Sequence, residues 1–305
     1  MVADLEKLLT EKRNERTMRL DEMSPGEIIR IMNQEDGEVV RAVKNALPMI
    51  EQAIIWATES LKKGGRIIYI GAGTSGRLGV LDAVECPPTF GVPHSMVIGL
   101  IAGGPDAFVK AKEGAEDREA LGKEDLKSIS LKAEDIVIGL TASGRTPYVI
   151  GALEYAGRVG CKRIAIANNA GTPAADVADC AIELLSGPEV LTGSTRLKAG
   201  TAEKMVLNMI STASMVGIGK VYENLMVDVR QTNEKLITRA ENIVMEAIGC
   251  GRGDARKALA EADGEAKLAI TKMLLKCDIE TAKEYLSRAE GKVKTAVSAY
   301  MKKRC

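Results

Sequence analysis

The sequence predicts an α/β protein: a doubly wound, five-stranded parallel sheet with helices before it and a small helical module after it. Three observations carry that expectation. Five short apolar runs, Ile67 to Ile70, Met96 to Ile101, Ile136 to Leu140, Arg163 to Ala167 and Cys180 to Leu184, alternate with stretches of helical spacing. Near-continuous apolar strands separated by helices form parallel sheets buried on both faces. Two of the runs end in glycine- and hydroxyl-rich loops, GAGTSGR (Gly71 to Arg77) and TASGRTP (Thr141 to Pro147), as ligand-binding turns at strand ends do. The length of 305 residues and a hydrophobic content of 46% suffice for a large core beside a smaller one.

Residues 1–62 lack strand alternation and carry helical spacing at Ile28, Ile31, Met32 and again at Val40, Val43, Ala46, Leu47, Ile50, Ile54. They are expected to be helices packed on the core. Residues 63–241 hold the strands and close with a helical stretch from Lys198 to about Met226, rich in small and flexible side chains such as Ala199, Gly200 and Ala202. Residues 242–305 shift to short amphipathic helices and contain an internal repeat. ARKALAEADGEAKLAI from Ala255 returns as AKEYLSRAEGKVKTAV from Ala282, a spacing of 27 residues, with Leu259/Leu286, Ala262/Ala289, Gly264/Gly291 and Ala269/Ala296 in register. Each copy reads as a helix stopped by glycine and then a second helix.

Charge narrows the function classes. With 42 basic and 42 acidic residues, no net field favours nucleic acid or an anionic membrane, so an anionic ligand must be held by local geometry. No DNA-binding segment is recognisable, and no stretch approaches the roughly 18 uninterrupted apolar residues of a spanning helix. A cytoplasmic protein is expected. The 6 cysteines show no CxxC pair and no zinc spacing, so reduced thiols are expected. A nucleophilic Cys86 would need a base, and the single histidine, His94, lies in a Val-Pro-His turn.

In both loops, glycines let backbone N–H groups approach an anion, Ser and Thr add donors, and an arginine, Arg77 or Arg145, lies beside them. The first loop also fits G-x-G-x-x-G through Gly71, Gly73 and Gly76. A dinucleotide site would require an acidic residue about 20 residues further on, at the end of the second strand. That strand runs out into Ala102-Gly103-Gly104, and the next acid, Asp106, comes 30 residues after Gly76. The hydroxyls of Thr141, Ser143 and Thr146 suit a phosphate monoester, which the sequence favours over a dinucleotide.

These paired loops resemble those of the sugar isomerase (SIS) domain family. GAGTSGRLGVLDAVECPPTFG, KEGAED, TASGRTPYVI and GPEVLTGSTRLKAGTAEKMVLNM further resemble its etherase branch, over the chain from about Leu9 to the C-terminal helices. The resemblance implies a SIS fold and hydrolytic cleavage of the D-lactyl ether of N-acetylmuramic acid 6-phosphate to N-acetylglucosamine 6-phosphate and D-lactate, by elimination and then hydration. It implies no redox cofactor and no metal. A homodimer is expected because SIS domains usually pair. A phosphosugar isomerase would use the same loops without needing an acid for a leaving lactate, and a non-catalytic sugar-phosphate sensor would need neither acid nor base.

By matching to that family, Glu85 is the proton donor to the departing lactate oxygen, with Cys86-Pro87-Pro88 expected to break its helix and fix it in place. Read alone, it is a solvated helix-end glutamate. Glu116 matches the second carboxylate, a base for the C2 proton or the attacking water, with Glu113 and Asp117 as neighbours that sequence does not exclude. The phosphate is expected on Gly73, Thr74 and Ser75 of the first loop and on Ser143, Gly144, Arg145 and Thr146 of the second. Ser194, Thr195, Arg196 and Lys198 form a third polar cluster that the resemblance places near the ligand. Asn233, Glu234 and Lys235 are further candidates, reaching a site across a subunit boundary.

Overall fold

The computed structural model describes residues 8–110, 112–229 and 234–304. Three short 3-10 turns between Leu9 and Glu22 lead to α1 (Pro25–Asn45) and α2 (Leu47–Lys62). Ser24 and Glu27 form a capping box at the start of α1, each satisfying the other's backbone N–H, and Pro25 supplies a first helical residue whose missing N–H costs nothing there. The chain then alternates: β1 (Ile67–Gly71), α3 (Gly73–Phe90), β2 (Val97–Ile101), α4 (Glu119–Ser128), β3 (Ile136–Thr141), α5 (Pro147–Val159), β4 (Lys162–Ala167), the single-turn α6 (Pro173–Asp176), β5 (Cys180–Glu183) and α7 (Lys198–Gly217). Each of the five apolar runs is a strand. Five further helices follow: α8 (Glu234–Ile248), α9 (Arg252–Glu261), α10 (Ala266–Leu275), α11 (Ile279–Arg288) and α12 (Val293–Arg304).

The sheet is parallel throughout, in the order β2-β1-β3-β4-β5. All residues of the central β1 and β3 are buried, which explains their unbroken apolar sequence. Because β2 lies on one side of β1 while β3, β4 and β5 run outward on the other, the strand order reverses between β1 and β3. Ligands of open α/β sheets bind outside the carboxyl ends of the strands at such a reversal. The loops after β1 and β3 are the two glycine-rich loops.

By its contacts the chain divides into two compact units, the first comprising the described residues up to Val84 with His94–Ser211, the second Glu85–Pro93 with the described residues from Thr212 onward. The N-terminal helices thus belong to the sheet unit. In the second unit the repeat is a matched pair of helical hairpins, α9 with α10 and α11 with α12. Each first helix is closed by a residue in the left-handed conformation followed by glycine, Asp263-Gly264 and Glu290-Gly291, and the glycine N–H returns to Leu259 O and to Leu286 O, both at 2.8 Å. Equivalent residues Ala255 and Ala282, and Ala269 and Ala296, are fully buried in one core.

Two expectations are corrected. Cys86-Pro87-Pro88 does not break α3, which continues to Phe90 with both prolines inside it. The lost hydrogen bonds fall in the last turns, where a helix has few left to lose, and Gly91 N–H still reaches Pro87 O at 3.0 Å. The helix from Lys198 ends at Gly217 rather than near Met226, because Gly219 turns left-handed and Lys220 N–H bonds back to Met215 O at 3.0 Å. Among the described residues no helix is long and apolar enough to cross a membrane. Cys86, Cys161 and Cys180 are buried.

Candidate active site

The first loop is held against the sheet by two glycines that face each other. A Cβ on Gly71 would lie 2.9 Å from Gly76 N, and one on Gly76 would lie 2.6 Å from Gly71 O, so no larger residue lets α3 start this close to the end of β1. The helix begins at Gly73, and Thr74 and Ser75 occupy its first turn.

The second loop is cross-braced by its own hydroxyls. Thr141 Oγ1 accepts from Gly144 N–H at 3.1 Å and lies 2.8 Å from Thr146 Oγ1, and Ser143 Oγ accepts from Arg145 N–H at 3.2 Å. Gly144 is left-handed, with φ +71°, and a Cβ there would lie 2.3 Å from Thr172 Cβ. Thr146 is the N-cap residue of α5 and Pro147 its first residue, so the loop ends at the positive end of a helix dipole.

Between the loops is a cavity of about 400 Å³, of a size that takes a small phosphorylated metabolite. Gly73, Thr74 and Ser75 line one side, and Ser143, Arg145 and Thr146 the other. Gly144 does not line it and serves to turn the loop. A smaller cavity of about 120 Å³ lies beside Arg77, Ala107 and Lys112 and shares Ala72, Gly73 and Glu116 with the first. Glu113 lines only the smaller one and Asp117 only the larger. Glu116 alone of the three reaches both, and its backbone carbonyl accepts from Tyr148 N–H at 3.0 Å in the first turn of α5.

Residues 49–157 match the family model for the N-terminal SIS domain of the glucokinase regulatory protein, and residues 123–213 match the SIS domain model. Over 290 residues the chain is 58% identical to the N-acetylmuramic acid 6-phosphate etherase of Pectobacterium atrosepticum, covering 95% of this chain and 96% of the relative. It is 57% identical to the enzyme of that name from Bacillus mycoides, over 96% of this chain and all of the relative, and 53% identical to that from Vibrio campbellii, over 99% and 98%. The chain belongs to the N-acetylmuramic acid 6-phosphate etherase family.

Not every residue matched to the etherase family lines the cavity. Lys198 is turned away: its ammonium is buried and donates to Glu35 Oε2 at 2.6 Å, while Asn14 and Arg16 bind the same carboxylate. The N–H groups of Lys198 and Ala199 donate to the Glu189 carboxylate at 3.0 and 2.9 Å, so the start of α7 is already capped by an anion. Ser194 is half-buried in the preceding turn, and its neighbours Gly193 and Thr195 line the cavity instead. Arg77 is committed to structure, donating to the carbonyls of Phe108 and Ala107 at 2.8 and 2.9 Å. Glu85 is exposed on α3 in the segment that belongs to the second unit and lines neither cavity of the first. Glu234 and Lys235 are exposed at the start of α8, and Asn233 lies outside the described residues.

Two acidic groups at the site escape sequence reasoning. Glu11 lines the cavity because Asn169 holds the N-terminal segment there, accepting from Leu9 N–H at 2.6 Å and donating to Thr10 Oγ1 at 3.1 Å and to Ala142 O at 2.9 Å. Such a contact spans about 160 residues and leaves no local signal. Glu203 is fully buried on α7, and its Oε1 lies 3.1 Å from Ser75 Oγ. Its place on the apolar stripe Ala199, Glu203, Val206, Ile210 was a readable sign.

Proposed function

We infer that the protein removes the D-lactyl ether of N-acetylmuramic acid 6-phosphate, giving N-acetylglucosamine 6-phosphate and D-lactate. The observation that carries this is the identity of 52 to 58% with etherases across nearly the whole chain. It favours the etherase reading over a phosphosugar isomerase or a sensor. The two braced loops supply what a phosphate monoester needs: backbone N–H groups, the hydroxyls of Thr74, Ser75, Ser143 and Thr146, the Arg145 cation, and the N-terminus of α5.

The chemistry proceeds from the open-chain aldehyde, whose carbonyl acidifies the C2 proton. A base takes that proton, the C3–O bond breaks, and a general acid protonates the departing lactate oxygen. Water then adds across C2 and C3, placing hydroxyl on C3 and returning a proton to C2, so the net change is hydrolysis. We assign the base or water-handling role to Glu116, because it reaches both cavities and its backbone is tied to the helix that the second phosphate loop opens. The role of Glu85 as acid rests on the ECPPTFG motif alone. The protein acts as a homodimer in this proposal, because SIS domains usually pair.

The direct test is release of D-lactate from N-acetylmuramic acid 6-phosphate by the purified protein. Release supports the reading. A folded protein that binds N-acetylglucosamine 6-phosphate and releases no lactate is a sensor or an isomerase.

A further inference from the structure

Beneath the first phosphate loop lies an ionisable group that the reaction does not use. Glu203 has no solvent exposure, its Oε1 meets Ser75 Oγ at 3.1 Å, and its Oε2 has no hydrogen-bond partner. The two helices pack side by side here: a Cβ on Gly200, one turn earlier on α7, would stand in ordinary contact with α3, 3.4 Å from Thr74 Cγ2 and 3.7 Å from Leu78 Cδ1. Ser75, the residue that meets the buried carboxyl, is also one of those that line the cavity.

A serine hydroxyl has one proton to give. If Glu203 is a carboxylate, that proton points inward to it, and the loop offers the phosphate a lone pair instead of a donor. If Glu203 is protonated, its own O–H satisfies Ser75 Oγ and frees the serine proton for the phosphate. We propose that Glu203 is a positioning residue of the phosphate site, whose protonated carboxyl donates to Ser75 Oγ and so turns the Ser75 hydroxyl outward as a donor to the bound phosphate ester.

Burial pushes the Glu203 carboxyl up to about 8, against a smaller opposing effect of the Ser75 hydrogen bond. No charged group contributes to the shift; Lys204 on α7 acts on Asp82 of α3 and not on Glu203. At neutral pH the carboxyl is therefore the donor the geometry needs. A phosphate dianion one hydrogen bond away disfavours a second negative charge, so binding holds the proton more tightly still. The proton is taken up or released at one oxygen, and no bond to carbon is involved.

This inference rests on the phosphosugar reading and is tested by calorimetric titration of N-acetylglucosamine 6-phosphate into wild type, Glu203→Gln and Glu203→Ala from pH 7 to pH 9.5. The second ionisation of the phosphate itself, near pH 6, lies outside that window. If only the protonated form binds, the wild-type Kd rises up to about 30-fold across it. The amide of Glu203→Gln donates to Ser75 at every pH, so this variant keeps the neutral-pH affinity that Glu203→Ala loses and shows a flat profile. Equal slopes in wild type and Glu203→Gln overturn the positioning role, whether or not the alanine variant folds. No binding by folded wild type at any pH would instead refute the phosphosugar reading, and the inference with it.

Discussion

Lys198 Nζ and Glu35 Oε2 meet at 2.6 Å with both side chains buried, joining the first turn of α7 to the middle of α1. Burial works against ionisation of Glu35, yet hydrogen bonds from Lys198 and Asn14 and the charges of Lys198 and Arg16 outweigh it and leave the carboxyl below its ordinary range. A buried charge that loses its partner is far costlier than a pair that is absent altogether. Lys198→Met leaves Asn14 and Arg16 on the Glu35 carboxylate and is therefore expected to destabilise the protein by about 1.5 to 3 kcal/mol in urea unfolding, and the double variant Lys198→Met/Glu35→Leu to recover part of that loss. A single variant as stable as wild type would show that the pair does not hold these helices together.

The left-handed Gly144 is the tightest point of the second loop. Gly144→Ala must both adopt an unfavourable backbone conformation and displace Thr172, whose Cβ stands 2.3 Å from the added carbon. The expected cost is on the order of 1 to 3 kcal/mol, together with at least a tenfold loss of phosphosugar affinity as Ser143 and Arg145 shift. Thermal unfolding and calorimetry measure the two effects separately.

Glu203 also imposes a pH dependence on folding. The folded state holds its proton to about pH 8, while an unfolded glutamate releases it near 4.5. The contribution of this group is thus complete below pH 4.5, declines as pH rises through the interval, and is gone above about 8. Glu203→Gln lacks the decline, so its stability relative to wild type should improve steadily from pH 5 to pH 8.5 in urea titrations. A constant difference would mean that Glu203 is ionised in the folded protein.

Among the three acids after β2, position predicts rank. Glu116→Gln should lower D-lactate release by about 10²- to 10⁴-fold while product binding survives, as loss of general acid–base catalysis does. Glu113→Gln and Asp117→Asn, each lining a single cavity, should fall by less than about tenfold. A Glu113 variant that loses as much as the Glu116 variant would reverse the assignment.

What sequence could supply was local. Alternating apolar runs marked all five strands, and the two glycine-rich loops stand after β1 and β3 where a cavity opens between them, because strand burial and turn chemistry are written in consecutive residues. What it could not supply was partnership across the chain. Lys198 and Arg77 look like phosphate ligands in sequence, but the acids and carbonyls that engage them are supplied by distant segments: Glu35 from α1, and Ala107 and Phe108 from beyond β2. Glu11 reaches the cavity only through Asn169, and Pro87-Pro88 is tolerated because α3 was already near its end.

The central claim, elimination and hydration of the lactyl ether, is tested most directly by running the reaction in ²H₂¹⁸O and locating both isotopes. Cleavage of the C3–O bond after loss of the C2 proton places deuterium at C2 and ¹⁸O at C3 of N-acetylglucosamine 6-phosphate, with the original ether oxygen leaving in D-lactate. Oxygen-18 in the lactate, or a product without deuterium at C2, would contradict it.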